Sequence, residues 1–161
     1  MAKDIWIGDV QNGDYDGQDV ELKGWIKRTR GSNKIRFVVL RDSTGIIQCV
    51  AKRDVIGDEA FESIASALIE SSVIIRGTVN VDERSEGGHE LIVSGLEIVG
   101  PVDPERPFPI TESAMKAADG GETEFLLDNR HLYLRTGRMT TMLKVRSSVF
   151  GAIHNYFRDL D

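Results

Sequence analysis

With one cysteine in 161 residues, Cys49, the chain has no internal disulfide open to it. Cys49 falls in an apolar strand-like run and reads as a small buried hydrophobe. No apolar stretch approaches the roughly 20 residues that span a bilayer, which excludes a transmembrane helix and leaves no membrane partner expected. The N-terminus MAKDIWIGDV lacks the charged-then-apolar pattern of an export signal, so a cytoplasmic location is expected. The three histidines, His89, His131 and His154, are scattered and have no HExxH-type or cysteine companions, so no metal site is expected. No phosphate loop, nucleophile elbow or dinucleotide fingerprint occurs. Carboxylates are plentiful, but spacing pairs none of them for acid–base work. No catalytic residue, and no cofactor in this chain, follows from the sequence.

Positive charge is scarce overall, and the net charge is −6. Its distribution is uneven. Residues 20–55 hold nine Lys and Arg against three acids, a local charge of +6 that leaves −12 for the rest. The ten positions Lys27–Arg36 carry five of those basic residues. A positive face on a negative body suits a local contact and disfavours indiscriminate coating of nucleic acid.

Residues 19–30 alternate, with Val20, Leu22 and Ile26 on one side and Glu21 and Lys23 on the other, which predicts a strand with a bend or bulge at Gly24. Gly31-Ser32-Asn33 is a turn, 34–42 a second strand, Asp42-Ser43-Thr44-Gly45 a second turn, and 46–52 a third strand. The period then changes. Phe61, Ile64, Ala65, Leu68 and Ile69 line one face of a helix over about 58–70. Strand character returns at 73–82 and 89–99, joined by a hairpin turn at Glu86-Gly87-Gly88. Three strands, one inserted helix and two strands is the order of a five-stranded OB-fold barrel, an all-β fold.

All four prolines, Pro101, Pro104, Pro107 and Pro109, follow the fifth strand within nine residues. They predict a stiff linker and a domain boundary. The expected organisation is a barrel at 1–100, a Pro-rich hinge at 101–125, and a helical stub at 126–161. Residues 111–124, with Gly120-Gly121, read as a mobile connection. Residues 126–135 suggest a short helix or turn. Met142, Val145, Val149, Ile153, Tyr156, Phe157 and Leu160 form a helical stripe that nothing further in the chain is left to cover.

In an OB-fold, oligonucleotides lie on the open face of strands one to three and the loops beside it. Arg28 and Arg30 end the first strand, Phe37 is on the second and Gln48 on the third. Phe37 offers a stacking platform, Gln48 a donor and an acceptor to a base edge, and Arg30 a grip on phosphate or base. Each has a plainer reading. Phe37 stands beside Val38, Val39 and Leu40 and could be core; Gln48 and the basic run could be solvated surface.

Gly24-Trp25-Ile26, Arg28, Arg30, Phe37, Arg41-Asp42, Gly45-Ile46 and Gln48 together resemble the N-terminal anticodon-binding domain of class IIb aminoacyl-tRNA synthetases. Past the linker, LLDNRHLYLR and KVRSSVFGAIHNYF resemble the entry to the class II catalytic domain and its first long helix, so the resemblance covers essentially the whole chain. Within the family the archaeal-type asparaginyl group is the most similar, through RDSTGIIQCV, ESSVIIRGTVNVDERSEGGHEL and the FPI segment. The resemblance implies that Phe37 stacks on the middle anticodon base, that Gln48 reads a base edge, and that Arg30 is the family's basic position, with Arg28 of the same motif as a further anticodon contact. It adds Glu90 on the fifth strand as an anticodon contact. It implies a tRNA partner, a homodimer built through the helix near 140–160, and a longer parent enzyme that joins asparagine to tRNA with ATP and Mg²⁺.

On this reading the chain is truncated inside the first catalytic helix and inactive by itself. Three alternatives stay open. The first is an aspartyl enzyme, including one that charges both tRNAs. Aspartyl enzymes tend to have a basic residue after Gly77-Thr78-Val79, where this chain has Asn80. The second is a free-standing single-strand-binding OB protein. The third is an OB module that binds no nucleic acid.

Overall fold

The computed structural model describes residues 4–111 and 123–160. Five strands close into a barrel in the order β1-β2-β3-β5-β4. They are β1 (Asp19–Gly31), β2 (Ile35–Arg41), β3 (Ile46–Lys52), β4 (Ser72–Val81) and β5 (His89–Gly100). A closed five-stranded barrel is the fold expected from the sequence. β3 and β5 pair in parallel and close the barrel; the other neighbours are antiparallel. The interior is filled by one side of each strand, including Leu22, Ile26, Leu40, Ile47, Ile75 and Leu91, each no more than 1% exposed. Burying each such side chain favours folding by about 1.5–3 kcal/mol.

β1 is shared between two partners. It pairs with β4 through Asp19–Trp25 and with β2 through Trp25–Gly31. Gly24 lies where the partners change. A Cβ there would sit 2.4 Å from the Arg41 carbonyl oxygen, so only glycine allows this close approach. The bulge itself is not at Gly24. Pairing steps from Ile26↔Leu40 to Arg28↔Val39, which leaves Lys27 as the extra residue.

Among the described residues the barrel unit also has three short helices: α1 (Ile7–Gln11), α2 (Arg53–Ile56) and α3 (Asp58–Ser66). Nothing in the sequence pattern pointed to α1. Its Ile7 and Val10 are fully buried and join the barrel core. Asp42 fixes it there: one carboxylate oxygen accepts from the Ile7 N–H at 2.8 Å, the other from Thr44 and Gly45 in the β2–β3 turn at 2.7 and 2.9 Å.

The helix expected to reach residue 70 ends at Ser66, because Ala67 is extended at φ −65°, ψ 127°. Leu68 and Ile69 share its apolar spacing but lie beyond it. Backbone bonds to β1 take over from the helix. The Glu70 N–H donates to the Ile26 carbonyl at 2.6 Å, and the Ile26 N–H to the Ser71 carbonyl at 3.0 Å. Glu70 adopts φ +70°, and its carboxylate accepts from Arg41 Nη2 at 2.9 Å through both oxygens.

The chain divides into two compact units, Met1–Phe108 and Pro109–Asp161. In the second, the described helices are α4 (Thr123–Asp128), α5 (Arg130–Tyr133) and α6 (Gly137–Arg158). Thr136 caps α6 by accepting from the Met139 N–H. The Gly120-Gly121 stretch, read from the sequence as a mobile connection, lies outside the described residues. Among those described, no helix is long and apolar enough to cross a membrane.

Candidate nucleic-acid interface

The Lys27 bulge decides which way the arginines of β1 point. Along its first half Val20, Leu22 and Ile26 face the core, and unbroken alternation would send Arg28 and Arg30 after them. One extra residue reverses the phase. Arg28 therefore pairs with Val39 and Arg30 with Phe37 on the outer face. On β2 the inward residues are Val38 and Leu40, both fully buried, so Phe37 and Val39 point out. On β3, Ile47, Cys49 and Ala51 point in, so Gln48 and Val50 point out. Phe37 is half-buried on this outer face and is not part of the core.

These side chains form one array. The Arg30 guanidinium lies 5.4 Å from the Phe37 ring centroid, and its Nη2 donates to Gln48 Oε1 at 3.1 Å. Arginine has no acceptor, so the contact requires the Gln48 oxygen to face it. The Gln48 NH₂ is thereby left as a donor for a ligand. Gln48 is in register with Glu90 across the parallel β3–β5 pair, and Glu90 with Asn80 across β4–β5. Asn80 Nδ2 donates to Glu90 Oε1 at 3.1 Å.

Arg28, Arg30, Phe37, Gln48 and Glu90 all line a single cleft of about 550 Å³ on the barrel unit. The structure brings together every residue singled out from the sequence. Its apolar lining includes Val39 and Val50, outward neighbours of Phe37 on the same face. One wall is the basic end of β1. The other is the β4–β5 loop, which adds Asp82, Arg84, Ser85 and Glu86. Sequence reading saw that loop only as a hairpin turn. What could have flagged it is its position, since the loop between strands four and five borders the oligonucleotide face of an OB-fold.

Within the second wall Arg84 donates to Asp82 through Nε at 3.0 Å and Nη2 at 3.1 Å. The guanidinium hydrogen bond holds the Asp82 carboxyl below the usual carboxylate range and raises Arg84. His89 braces the base of the loop. Its ring nitrogens lie 3.0 Å from the Gly87 carbonyl oxygen and 3.0 Å from Asp16 Oδ1, and the residue is 9% exposed. These contacts give His89 a structural role. Among the described residues no three His, Cys, Asp or Glu side chains converge into a metal-binding group.

The chemistry of the cleft is asymmetric. Arginines on one side suit phosphate, and the ring and apolar lining suit a base face. Gln48 and Glu90 suit the donors and acceptors of a base edge.

Residues 20–99 match the tRNA anti-codon family, described as an OB-fold nucleic acid binding domain. The chain is 42% identical over 151 residues to the asparagine–tRNA ligase of Thermoplasma acidophilum, covering 94% of this chain and 33% of the relative. It thus spans about a third of the length of the curated relatives it matches. The crystal structure of asparaginyl-tRNA synthetase from Pyrococcus horikoshii superposes with a TM-score of 0.83 at 34% identity, over 99% of this chain and 36% of that one. A putative aspartyl-tRNA synthetase from Leishmania major has a TM-score of 0.86 at 23% identity over 99% of this chain and 32% of its own, a likeness of fold alone.

Proposed function

The chain belongs, through residues 20–99, to the OB-fold nucleic acid binding family of the tRNA anti-codon type, and on that premise we propose that it binds the anticodon loop of a tRNA as the N-terminal part of an asparagine–tRNA ligase. The observation that carries this is the array of Arg30, Phe37 and Gln48 in one cleft with Glu90 opposite. A splayed anticodon base stacks on Phe37. The Gln48 NH₂ and the Glu90 carboxylate meet the edges of the bases, and Arg28 and Arg30 hold the phosphates. The longer parent joins asparagine to tRNA in the cytoplasm with ATP and Mg²⁺, and we assign neither of these to a residue of this chain.

The test is binding of RNA hairpins carrying the asparagine anticodon. The chain is expected to prefer that hairpin at least 10-fold over one with the middle base replaced. Equal binding of both would remove the anticodon reading and leave a generic single-strand binder.

An aspartyl parent is the second reading. The Asn80–Glu90 contact bears on it, because Asn80 is a neutral donor to Glu90 where a basic residue at 80 would form an ion pair. Aminoacylation by the full-length parent, with each amino acid and each tRNA, separates the two.

The partner of α6 is a second copy of the chain. Val145, Val149, Ile153 and Phe157 repeat along one stripe, and each is between 46% and 64% exposed. Their spacing and exposure support a homodimer.

A further inference from the structure

Five cations of the barrel unit are paired within the fold. Lys23, Arg41, Arg53, Arg76 and Arg84 each pair with a carboxylate of the fold. Among the described residues Lys34 and Lys52 have no carboxylate within 4.0 Å, and both are exposed. Both line a second cleft, of about 640 Å³, with Ile35 and Gly57.

The register places that cleft relative to the first. Phe37↔Val50 is one outward row of the β2–β3 ladder, and Ile35↔Lys52 is the next outward row. Successive rows on one face are about 7 Å apart. Lys34 immediately precedes Ile35, and its carbonyl accepts from the Arg53 N–H at 3.0 Å, which holds the β1–β2 loop beside the end of β3. Ile35 and Lys52 of the second cleft therefore lie one row beyond the aromatic platform, on the same face of the ladder. Arg53 of that cleft is spent within the fold, donating to the Asn33 carbonyl, Asp58 and Glu62. Two carboxylates also line the cleft: Asp58, which is paired with Arg53, and Asp54, in the first turn of α2.

We propose that Lys34 and Lys52 form a phosphate site that holds the RNA backbone next to the base stacked on Phe37, without reading sequence. The proposal rests on the anticodon reading above for the identity of the RNA. The geometry itself asks only for a strand that runs along the β2–β3 ladder from Phe37 to Lys52. Two flexible ammonium groups flanking Ile35 suit a phosphate bearing a sugar on an apolar shelf. They lack the fork of arginine or the amide of glutamine that a base edge would need. Asp54 limits how much charge accumulates there and gives the site a second handle.

The experiment titrates the asparagine-anticodon hairpin, and its middle-base variant, against the full 161-residue chain at several salt concentrations. Neutralising two phosphate contacts should reduce the slope of log K against log salt by about 1.4–1.8. Lys34→Gln/Lys52→Gln is expected to show that reduction, with affinity about 10-fold lower at low salt. Its ratio between the two hairpins should stay unchanged. Lys34→Arg/Lys52→Arg should keep the parent slope, and Asp54→Asn should tighten binding to both hairpins equally.

A glutamine double variant with the parent slope and affinity would overturn the proposal. So would one that lost the hairpin preference, since the lysines would then be reading bases. Should the parent bind both hairpins equally while the glutamine variant still loses slope, the anticodon reading fails and the phosphate site stands.

Discussion

Phe37 is the residue on which the interface turns. The Arg30 guanidinium lies 5.4 Å from its ring centroid, and Val39 and Val50 line the same cleft. Replacing it with alanine removes a stacking surface worth about 1–3 kcal/mol per base. The expected result for Phe37→Ala is a hairpin affinity lower by about 5- to 150-fold, since 1.4 kcal/mol is a factor of ten. Thermal unfolding should move little, because the ring lies outside the core cluster. A folded Phe37→Ala chain that bound as tightly as the parent would remove the platform assignment. The type of this residue was legible in the sequence, and its direction was not. Beside Val38, Val39 and Leu40 it reads equally as core, and only the phase of β2 in the closed barrel turns it outward.

At the scale of elements, β1 carries the most information per residue. One strand serves two partners, and the change of partner needs Gly24 to pass within reach of the Arg41 carbonyl. Gly24→Ala would put a Cβ 2.4 Å from that oxygen, so the strands must part. A loss of about 1–3 kcal/mol is expected, as for other overpacked sites. Gly95→Ala is the control, because an added Cβ there meets nothing within 4 Å. Urea unfolding of the two variants measures the difference, and equal midpoints would contradict the account. Gly24 was visible in the sequence as a break in the alternation. The bulge at Lys27 was not, since an extra exposed lysine among exposed cations leaves no trace in a hydrophobic pattern. The same holds for α3, whose apolar spacing runs on to Ile69. Backbone bonds from Glu70 and Ser71 to Ile26 stop it at Ser66.

At the scale of the whole molecule the barrel is a sealed core, and Cys49 reports on the seal. Burial pushes its thiol from the ordinary 9.0 up to about 12. The native chain should resist alkylation at pH 8 and react only on unfolding; rapid labelling of folded protein would show the core to be open. The folded state keeps a proton that the unfolded state gives up, so stability falls as pH rises from about 9 towards 12. The second unit makes a different prediction. The exposed stripe of α6 should drive self-association, and Val149→Glu should weaken it. Light scattering that gives the mass of one chain at high concentration for the unsubstituted protein would count against the homodimer.

The alternation of apolar residues, the run of turns and the single switch to helical spacing were enough to determine the barrel, because burial of one face per strand is written locally. The basic run over Lys27–Arg36, Phe37 and Gln48 was also enough to name candidate contacts. Tertiary structure alone decided their common face. Phase along a strand can be reset by one residue, as Lys27 does, and closure of β3 against β5 is a contact between segments some 40 residues apart. It also decided that the β4–β5 loop forms the second wall. And it showed which cations are neutralised within the fold, among them Lys23, Arg41, Arg53, Arg76 and Arg84. Ion pairing depends on approach in space, which composition and spacing do not record.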